Sequence, residues 1–197
     1  MAIPQIGESA RPFRLPSAQG DEVGLEDFKG RQAVVLWFTK GMGCPFCRQQ
    51  MSQFKRAYAR IKAAGGEVLQ VTNSTLARGR FYARQFALPF PYLCDADHRA
   101  YTAWGLGQRS HGPGYYVKTL LKMAKMDPPP SEFGSFKPAL SEMPSMLVDD
   151  DMGLFIIDRG GTVRYALTGA YFDGTRPHGI PSPDEIVREL ERCAAAA

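Results

Sequence analysis

Cysteine is scarce in this chain. Its 197 residues hold only four, Cys44, Cys47, Cys94 and Cys193, unevenly spaced, which excludes the disulfide framework of a small secreted domain. In a reducing compartment a lone CxxC is more often catalytic or metal-binding. No stretch reaches about 18 uninterrupted apolar residues, so no membrane insertion is expected. The opening "MAIPQIGESARPFRLP" lacks a basic segment followed by an apolar one, and a cytoplasmic location is expected. Runs of five or more basic residues are also missing. The 24 lysines and arginines stand against 20 carboxylates, a net charge of +4, and their scatter argues against nucleic acid while suiting anionic small molecules. Internal repeats are absent. The length suits one domain with a sizeable core and exceeds a minimal one, so a single domain over 1–197 carrying an insertion is expected.

What is present alternates between two periods. "FRLPSAQGDEVGLEDFKG" predicts a hairpin of Phe13–Leu15 and Val23–Leu25 around a Gly-Asp turn. "QAVVLWFT", residues 32–39, is a continuous apolar run rich in β-branched and aromatic residues, which predicts a central parallel strand covered on both faces. Next, "CPFCRQQMSQFKRAYARIKAAGG" places Phe46, Met51, Phe54, Tyr58 and Ile61 near helical spacing and stops at Gly65 and Gly66, predicting a helix over 45–64. "EVLQVTN" then reads as a strand, "LARGRFYARQF" as a helix, "PYLCD" as a short strand and "HRAYTAWGL" as a short helix. From 108 to 151 the alternation is lost in a region rich in glycine and proline, an insertion with one basic amphipathic helix candidate over 115–126. "GLFIID" and "TVRYAL", joined by "RGG", predict a hairpin, and "SPDEIVRELERCA" a closing helix capped by Ser182 or Asp184. This element order is that of an α/β, thioredoxin-like fold: a central mixed sheet flanked by helices, with an N-terminal β-hairpin and an insertion before the last β-hairpin.

On that map the stretch "TKGMGCPFCRQQ" lies at a strand-to-helix junction. Cys44 falls at the N-cap, Pro45 at the first helical position, where its missing N–H costs nothing, and Cys47 one turn in. The positive end of the helix favours a thiolate there, and Lys40 and Arg48 add charge. Two-residue spacing brings both sulfurs within reach of a disulfide, so that one can resolve an oxidised form of the other. Cys44 and Cys47 are therefore the candidate catalytic pair. Trp37, Thr39, Lys40, Gly43, Pro45, Phe46 and Arg48 around them form the candidate substrate-binding set. "GMG" supplies an open approach for a backbone or glutathione. A competing reading makes the CxxC half of a zinc site completed by Cys94 and His98, and another leaves two inert thiols. Against zinc, the pair sits between a buried strand and a helix rather than in a compact knuckle.

The stretches "FRLPSAQGDEVGLEDFKGRQAVVLWFTKG", "GEVLQVTNSTLARGRFYARQFALPFPYLCDADHRAYTAWGL" and "MGLFIIDRGGTVRYALTG" resemble the opening, middle and closing hairpin of the peroxiredoxin-like branch of the alkyl hydroperoxide reductase and thiol-specific antioxidant (AhpC/TSA) family. "CPFC" resembles the glutaredoxin active site. The resemblance implies an antioxidant oxidoreductase that needs no cofactor. It would reduce a peroxide or a disulfide and be recharged by a thiol reductant such as thioredoxin or glutathione. The family's Pro-x-x-x-Thr-x-x-Cys pattern, laid so that Cys47 attacks, finds Lys40 in place of the proline and Cys44 in place of the threonine. Where the family carries its catalytic arginine, this chain has Met152, without the charge that stabilises a developing oxyanion. The peroxiredoxin alignment makes Cys47 the attacking thiol, whereas the thioredoxin and glutaredoxin reading makes it Cys44. Position on the helix favours Cys44 as the exposed, better-ionised thiol.

Other features have plainer readings beside functional ones. Asp95, Asp97 and His98 fit an Asp-rich turn capping the next helix better than a metal site. Cys94 reads as a strand-end core thiol and Cys193 as a packing or surface residue near the end of the chain. The helix candidate over 115–126 fits a cover over the sheet edge or active site better than a membrane-surface or partner helix, and "GSFKPALSEMPSMLVDDD" fits a loop that could form a lid or a homodimer contact. The second class of function is a non-enzymatic thioredoxin-fold binding module with a structural or zinc-bound CxxC.

Overall fold

The computed structural model describes residues 2–42, 44–110, 148–169, 172–173, 176–177 and 181–195, with single positions 114, 117, 121 and 133. Seven consecutive buried residues, Ala33–Thr39, form the central strand β3, preceded by the hairpin of β1 (Arg14–Pro16) and β2 (Glu22–Gly24), in which Leu15 faces Val23. Helix α1 (Pro45–Ala63), β4 (Gly66–Thr72), α2 (Leu76–Gln85), β5 (Tyr92–Cys94) and α3 (Arg99–Ala103) follow. After β6 (Gln108–Ser110) and β7 (Val148–Asp150) come β8 (Met152–Ile157), β9 (Val163–Gly169), the short pair β10 (Phe172–Asp173) and β11 (Arg176–Pro177), and α4 (Pro183–Ala195).

The five-stranded sheet runs β5-β4-β3-β8-β9, with β3, β4 and β5 parallel and β8 antiparallel to both β3 and β9. Alternate residues of β3 serve opposite faces. Val35 and Trp37 join Val68, Leu154 and Ile156 beneath Met51, Phe54 and Ile61 of α1, Tyr82 of α2 and Leu190 of α4. Val34, Leu36 and Phe38 join Leu69, Val71 and Phe155 against Leu15 and against Tyr101 and Trp104 at α3. Burial on both faces is why the strand reads as unbroken apolar sequence rather than as alternation.

The expected α/β, thioredoxin-like arrangement is thus present, with small shifts at element ends. Helix α3 stops at Ala103, short of the expected stretch, because Gly105 takes the left-handed conformation (φ 73°) and turns the chain out of the helix. Of the two expected caps for the final helix, Ser182 serves: its Oγ accepts from Glu185 N (3.3 Å) while Glu185 Oε2 accepts from Ser182 N (2.6 Å), a reciprocal capping box. Strand β6 pairs antiparallel with β7, so the stretch read as loop ends in a strand. Within the expected helix over 115–126, Val117 and Leu121 are helical and exposed, and the other positions lie outside the described residues. Among the described residues no helix is long and apolar enough to cross a membrane.

Candidate active site

Strand β3 delivers the chain to the carboxyl end of the parallel strands, where it turns into α1. Cys44 is the N-cap, in extended conformation (φ −83°, ψ 116°), and Pro45 takes the first turn. The backbone N–H of Cys47 points at Cys44 Sγ (3.4 Å), one of the amides that a helix start leaves without a partner in its own ladder. The two sulfurs differ sharply in setting. Cys44 is half-buried, whereas Cys47 is 1 % exposed and its Sγ lies 3.9 Å from Met152 Sδ at the start of β8. Burial pushes the Cys47 thiol well up, and the neighbouring Cys44 sulfur acts in the same direction. The Lys40 backbone N–H and the Lys40 charge pull the other way. Arg48, one residue on, is 8 % exposed and donates from Nη1 to the Met42 carbonyl (2.6 Å). Burial lowers its pKa, while both cysteines favour its charged form.

Beneath the pair lies a belt of buried polar groups that holds two loops in place. Thr39 Oγ1 accepts from Gly41 N (3.2 Å) and from Gln70 Nε2 (3.3 Å). Thr72 Oγ1 accepts from Ser74 N (3.3 Å), and Ser74 Oγ meets the Tyr92 hydroxyl (3.4 Å). The Tyr101 phenol reaches the carbonyls of Thr39 (2.5 Å) and Val71 (3.2 Å), tying together the ends of β3 and β4. Gly41 is left-handed (φ 74°), and a Cβ there would stand 3.3 Å from Asn73 Oδ1, so the loop before Cys44 packs directly on the loop after β4.

Of the candidate residues, Cys44, Cys47, Lys40 and Arg48 come together at this end of the sheet. Two others require correction. Trp37, expected in the substrate-binding set, is fully buried, with its ring edge-on to Phe54 at 5.0 Å. Thr39 is also fully buried, its hydroxyl occupied by the loop contacts above, so it positions the loop instead of lining a surface. Gly43 lies outside the described residues, and Pro45 and Phe46 are placed only as the first helical residues of α1.

All four cysteines are thiols. Cys94 is a core residue of β5 whose thiol burial pushes up to about 11. Cys193 packs beside Ala33 and Gly65, at the far end of β3 from Cys44. Seven strand residues separate those ends by roughly 20 Å, too far for Cys193 to resolve the pair. Asp95 caps α3 as expected, accepting from the backbone N–H of Arg99, Ala100 and Tyr101 at 2.9, 2.9 and 3.1 Å. No cluster of three potential metal ligands occurs among the described residues. Sequence reasoning missed Gln70, Ser74, Tyr92 and Tyr101 as supports of the site. The one visible signal was Gln70, an amide between the apolar residues Leu69 and Val71 of a fully buried strand.

The profile of the AhpC/TSA family matches residues 6–166. The chain belongs to the AhpC/TSA family. It is 31 % identical over 100 residues to peroxiredoxin Q, chloroplastic, of Sedum lineare, covering 51 % of this chain and 53 % of that one. With peroxiredoxin Q, chloroplastic, of Triticum aestivum it shares 33 % identity over 94 residues, covering 48 % and 43 %. The chain thus spans about half the length of the curated relatives it matches. The crystal structure of peroxidoxin BcpB from Mycobacterium tuberculosis superposes with a TM-score of 0.64 at 15 % identity, covering 98 % of this chain and 97 % of that one, a likeness of fold. Within this AhpC/TSA member, the side chain that touches Cys47 from the start of β8 is the thioether of Met152, the residue that the resemblance sets at the family's arginine position.

Proposed function

We propose that this protein is a cytoplasmic thiol peroxidase of the peroxiredoxin type in which Cys44 attacks and Cys47 resolves. The observation that carries the reading is the unequal setting of two sulfurs one helical turn apart: Cys44 half-buried at the start of α1, Cys47 sealed behind it. The names of the peroxiredoxin Q relatives and the family membership support it. The Cys44 thiolate, favoured by the helix end and by Arg48 and Lys40 nearby, attacks one peroxide oxygen. The O–O bond breaks, the leaving alkoxide takes a proton to become an alcohol or water, and Cys44 becomes a sulfenic acid. The Cys47 thiol then gives up its proton, displaces that hydroxyl as water and forms the Cys44–Cys47 disulfide. A dithiol reductant such as thioredoxin, or two molecules of glutathione, returns both thiols. Arg48, fixed by the Met42 carbonyl, supplies the cation that Met152 does not.

A second reading, thiol–disulfide exchange, is favoured by one observation: Met152 presents an apolar thioether where peroxide chemistry would use a charge. The two separate in one experiment. Fully reduced protein is mixed with hydrogen peroxide, and its rate of consumption is compared with that of an ordinary thiol, with products mapped by mass spectrometry. A rate orders of magnitude above the free thiol, ending in a Cys44–Cys47 disulfide, is expected. A rate no better than a free thiol's, with rapid exchange against glutathione disulfide, would replace the peroxidase with the exchange reading. If neither reaction forms the disulfide, both fall and a binding module remains.

A further inference from the structure

Although the chain has no run of five or more basic residues, its acidic residues are unevenly placed, which leaves one stretch strongly positive. Residues 28–94, which hold β3, α1, β4, α2 and β5, carry eleven lysines and arginines against a single carboxylate, Glu67. The insertion over 108–151 contributes five basic and six acidic residues, so it does not offset that excess. Part of the charge is committed within the fold: Arg60 pairs with Asp184 (2.7 Å) and Lys62 with Glu67 (2.9 Å). Helix α2 is different. It has no carboxylate at all, and its exposed stripe is Ala77, Arg80, Phe81, Arg84 and Gln85. Phe81 is 49 % exposed, and the Arg78 guanidinium lies 5.7 Å from its ring centroid. An exposed aromatic set among arginines is the composition of an interaction hot spot, not of a solvated helix face. Its place adds to this. Helix α2 begins two residues after Asn73 and Ser74, the loop on which the Gly41 turn before Cys44 rests.

We propose that the Arg80–Phe81–Arg84 face of α2 is the docking surface for an acidic dithiol protein that reduces the Cys44–Cys47 disulfide. This rests on the oxidoreductase reading above and adds the partner's chemistry to it. Charge complementarity draws the partner onto α2, whose start adjoins the loop packed on the turn before Cys44, and Phe81 supplies the apolar centre of the contact. The reduced partner's thiolate attacks Cys44, Cys47 leaves and takes a proton, and the partner's second thiol displaces Cys44 to leave the partner oxidised. A small reductant such as dithiothreitol reaches the same sulfur without using α2.

The test uses the full chain, oxidised with diamide, and follows reduction of its disulfide by a reduced, net-acidic thioredoxin and separately by dithiothreitol. In the double variant Arg80→Glu/Arg84→Glu the thioredoxin rate is expected to fall about ten- to hundredfold while the dithiothreitol rate holds. The wild-type thioredoxin rate should also drop as ionic strength rises towards about 0.3 M, and the variant's should not. Equal thioredoxin rates for wild type and variant, or salt-insensitive reduction of the wild type, would overturn the docking surface alone. A parallel loss of the dithiothreitol rate would do so too, as a defect of the site itself. Single-stranded DNA binding lost in the variant with reduction unchanged would assign the patch to nucleic acid and overturn it as well. Failure of diamide to form any disulfide, counted by alkylation, would instead overturn the redox reading on which it rests.

Discussion

The different settings of the two candidate active-site sulfurs make a quantitative expectation. An unperturbed thiol is only about 3 % ionised at pH 7. For Cys47 burial lowers that fraction further, and at 1 % exposure its sulfur is out of reach of a reagent in solution. For Cys44 the start of α1 works in the opposite sense, since a helix end is worth about 0.3–1 kcal/mol to an adjacent anion, or about two- to fivefold more thiolate. Iodoacetamide at pH 7 should therefore label Cys44 at least about tenfold faster than Cys47, read by peptide mass spectrometry of briefly quenched samples. As pH rises, Cys44 labelling should level off first, with Cys47 following only in the alkaline range, because its proton is held more tightly. The same asymmetry predicts that Cys47→Ser still consumes one equivalent of peroxide and stops at a sulfenic acid, while Cys44→Ser consumes almost none. Faster labelling of Cys47, or peroxide consumption that survives Cys44→Ser and is lost in Cys47→Ser, would refute the assignment and restore Cys47 as the attacking thiol.

Three further outcomes follow from the packing around the site. A Cβ at Gly79 would lie 2.4 Å from Cys94 Sγ and 3.4 Å from the Tyr92 ring, so Gly79→Ala should destabilise by about 1–2 kcal/mol in urea despite the better helix propensity of alanine. Adding Cys94→Ala should recover most of that, and strictly additive costs would show the clash to be imaginary. Tyr101→Phe leaves the Thr39 and Val71 carbonyls without the phenol and should cost about 1–3 kcal/mol, seen as a lower urea midpoint; an unchanged midpoint would remove Tyr101 as the tie between β3 and β4. The Cys94 thiol is raised to about 11 in the fold, from about 8.5 when unfolded. Its contribution to stability is therefore fully present below about pH 8.5 and is lost as pH rises through about 11, so Cys94→Ala should flatten the alkaline decline in melting temperature across that window.

The elements that carry the site were legible in sequence because each announces itself physically. Burial on two faces produces the unbroken run of β3, and Pro45 and Gly65 bracket α1 because one suits a helix start and the other the turn beyond its end. Cys44 and Cys47 could be placed on that junction from spacing alone. Trp37 and Thr39 were misread because nearness along the chain is not nearness of side chains. Both point to the α1 side of the sheet, where Phe54 takes the indole and Gly41 and Gln70 take the hydroxyl. The contact between Met152 and Cys47 spans 105 residues and depends on β8 lying antiparallel beside β3. Residue 152 could be marked as the arginine position by resemblance, but its sulfur contact required the sheet. Residues 108–151 stayed opaque since glycine and proline leave no period to read.

The groups around the pair also decide which sulfur a reductant meets. With the packing of the dithiol form kept, a Cys44–Cys47 disulfide would offer an incoming thiolate only Cys44, because Cys47 is enclosed by Met152 and the α1 side of the core. Attack on Cys44 makes Cys47 the leaving group, and a thiol whose pKa is raised leaves slowly as a bare anion. The Lys40 backbone N–H and the Lys40 and Arg48 charges face that sulfur and oppose the penalty of its burial. In the proposed cycle they would act in both halves, favouring a Cys44 thiolate and easing the departure of Cys47 when the disulfide is reduced. Burial of Cys47 has a further effect on redox poise. A disulfide becomes strongly oxidising when its reduced form is stabilised as a thiolate, and the apolar seat against Met152 withholds that stabilisation from one of the two sulfurs. On the proposed peroxidase reading, the pair would therefore hold its oxidation as a disulfide until a dithiol partner arrives, rather than pass it on to other proteins.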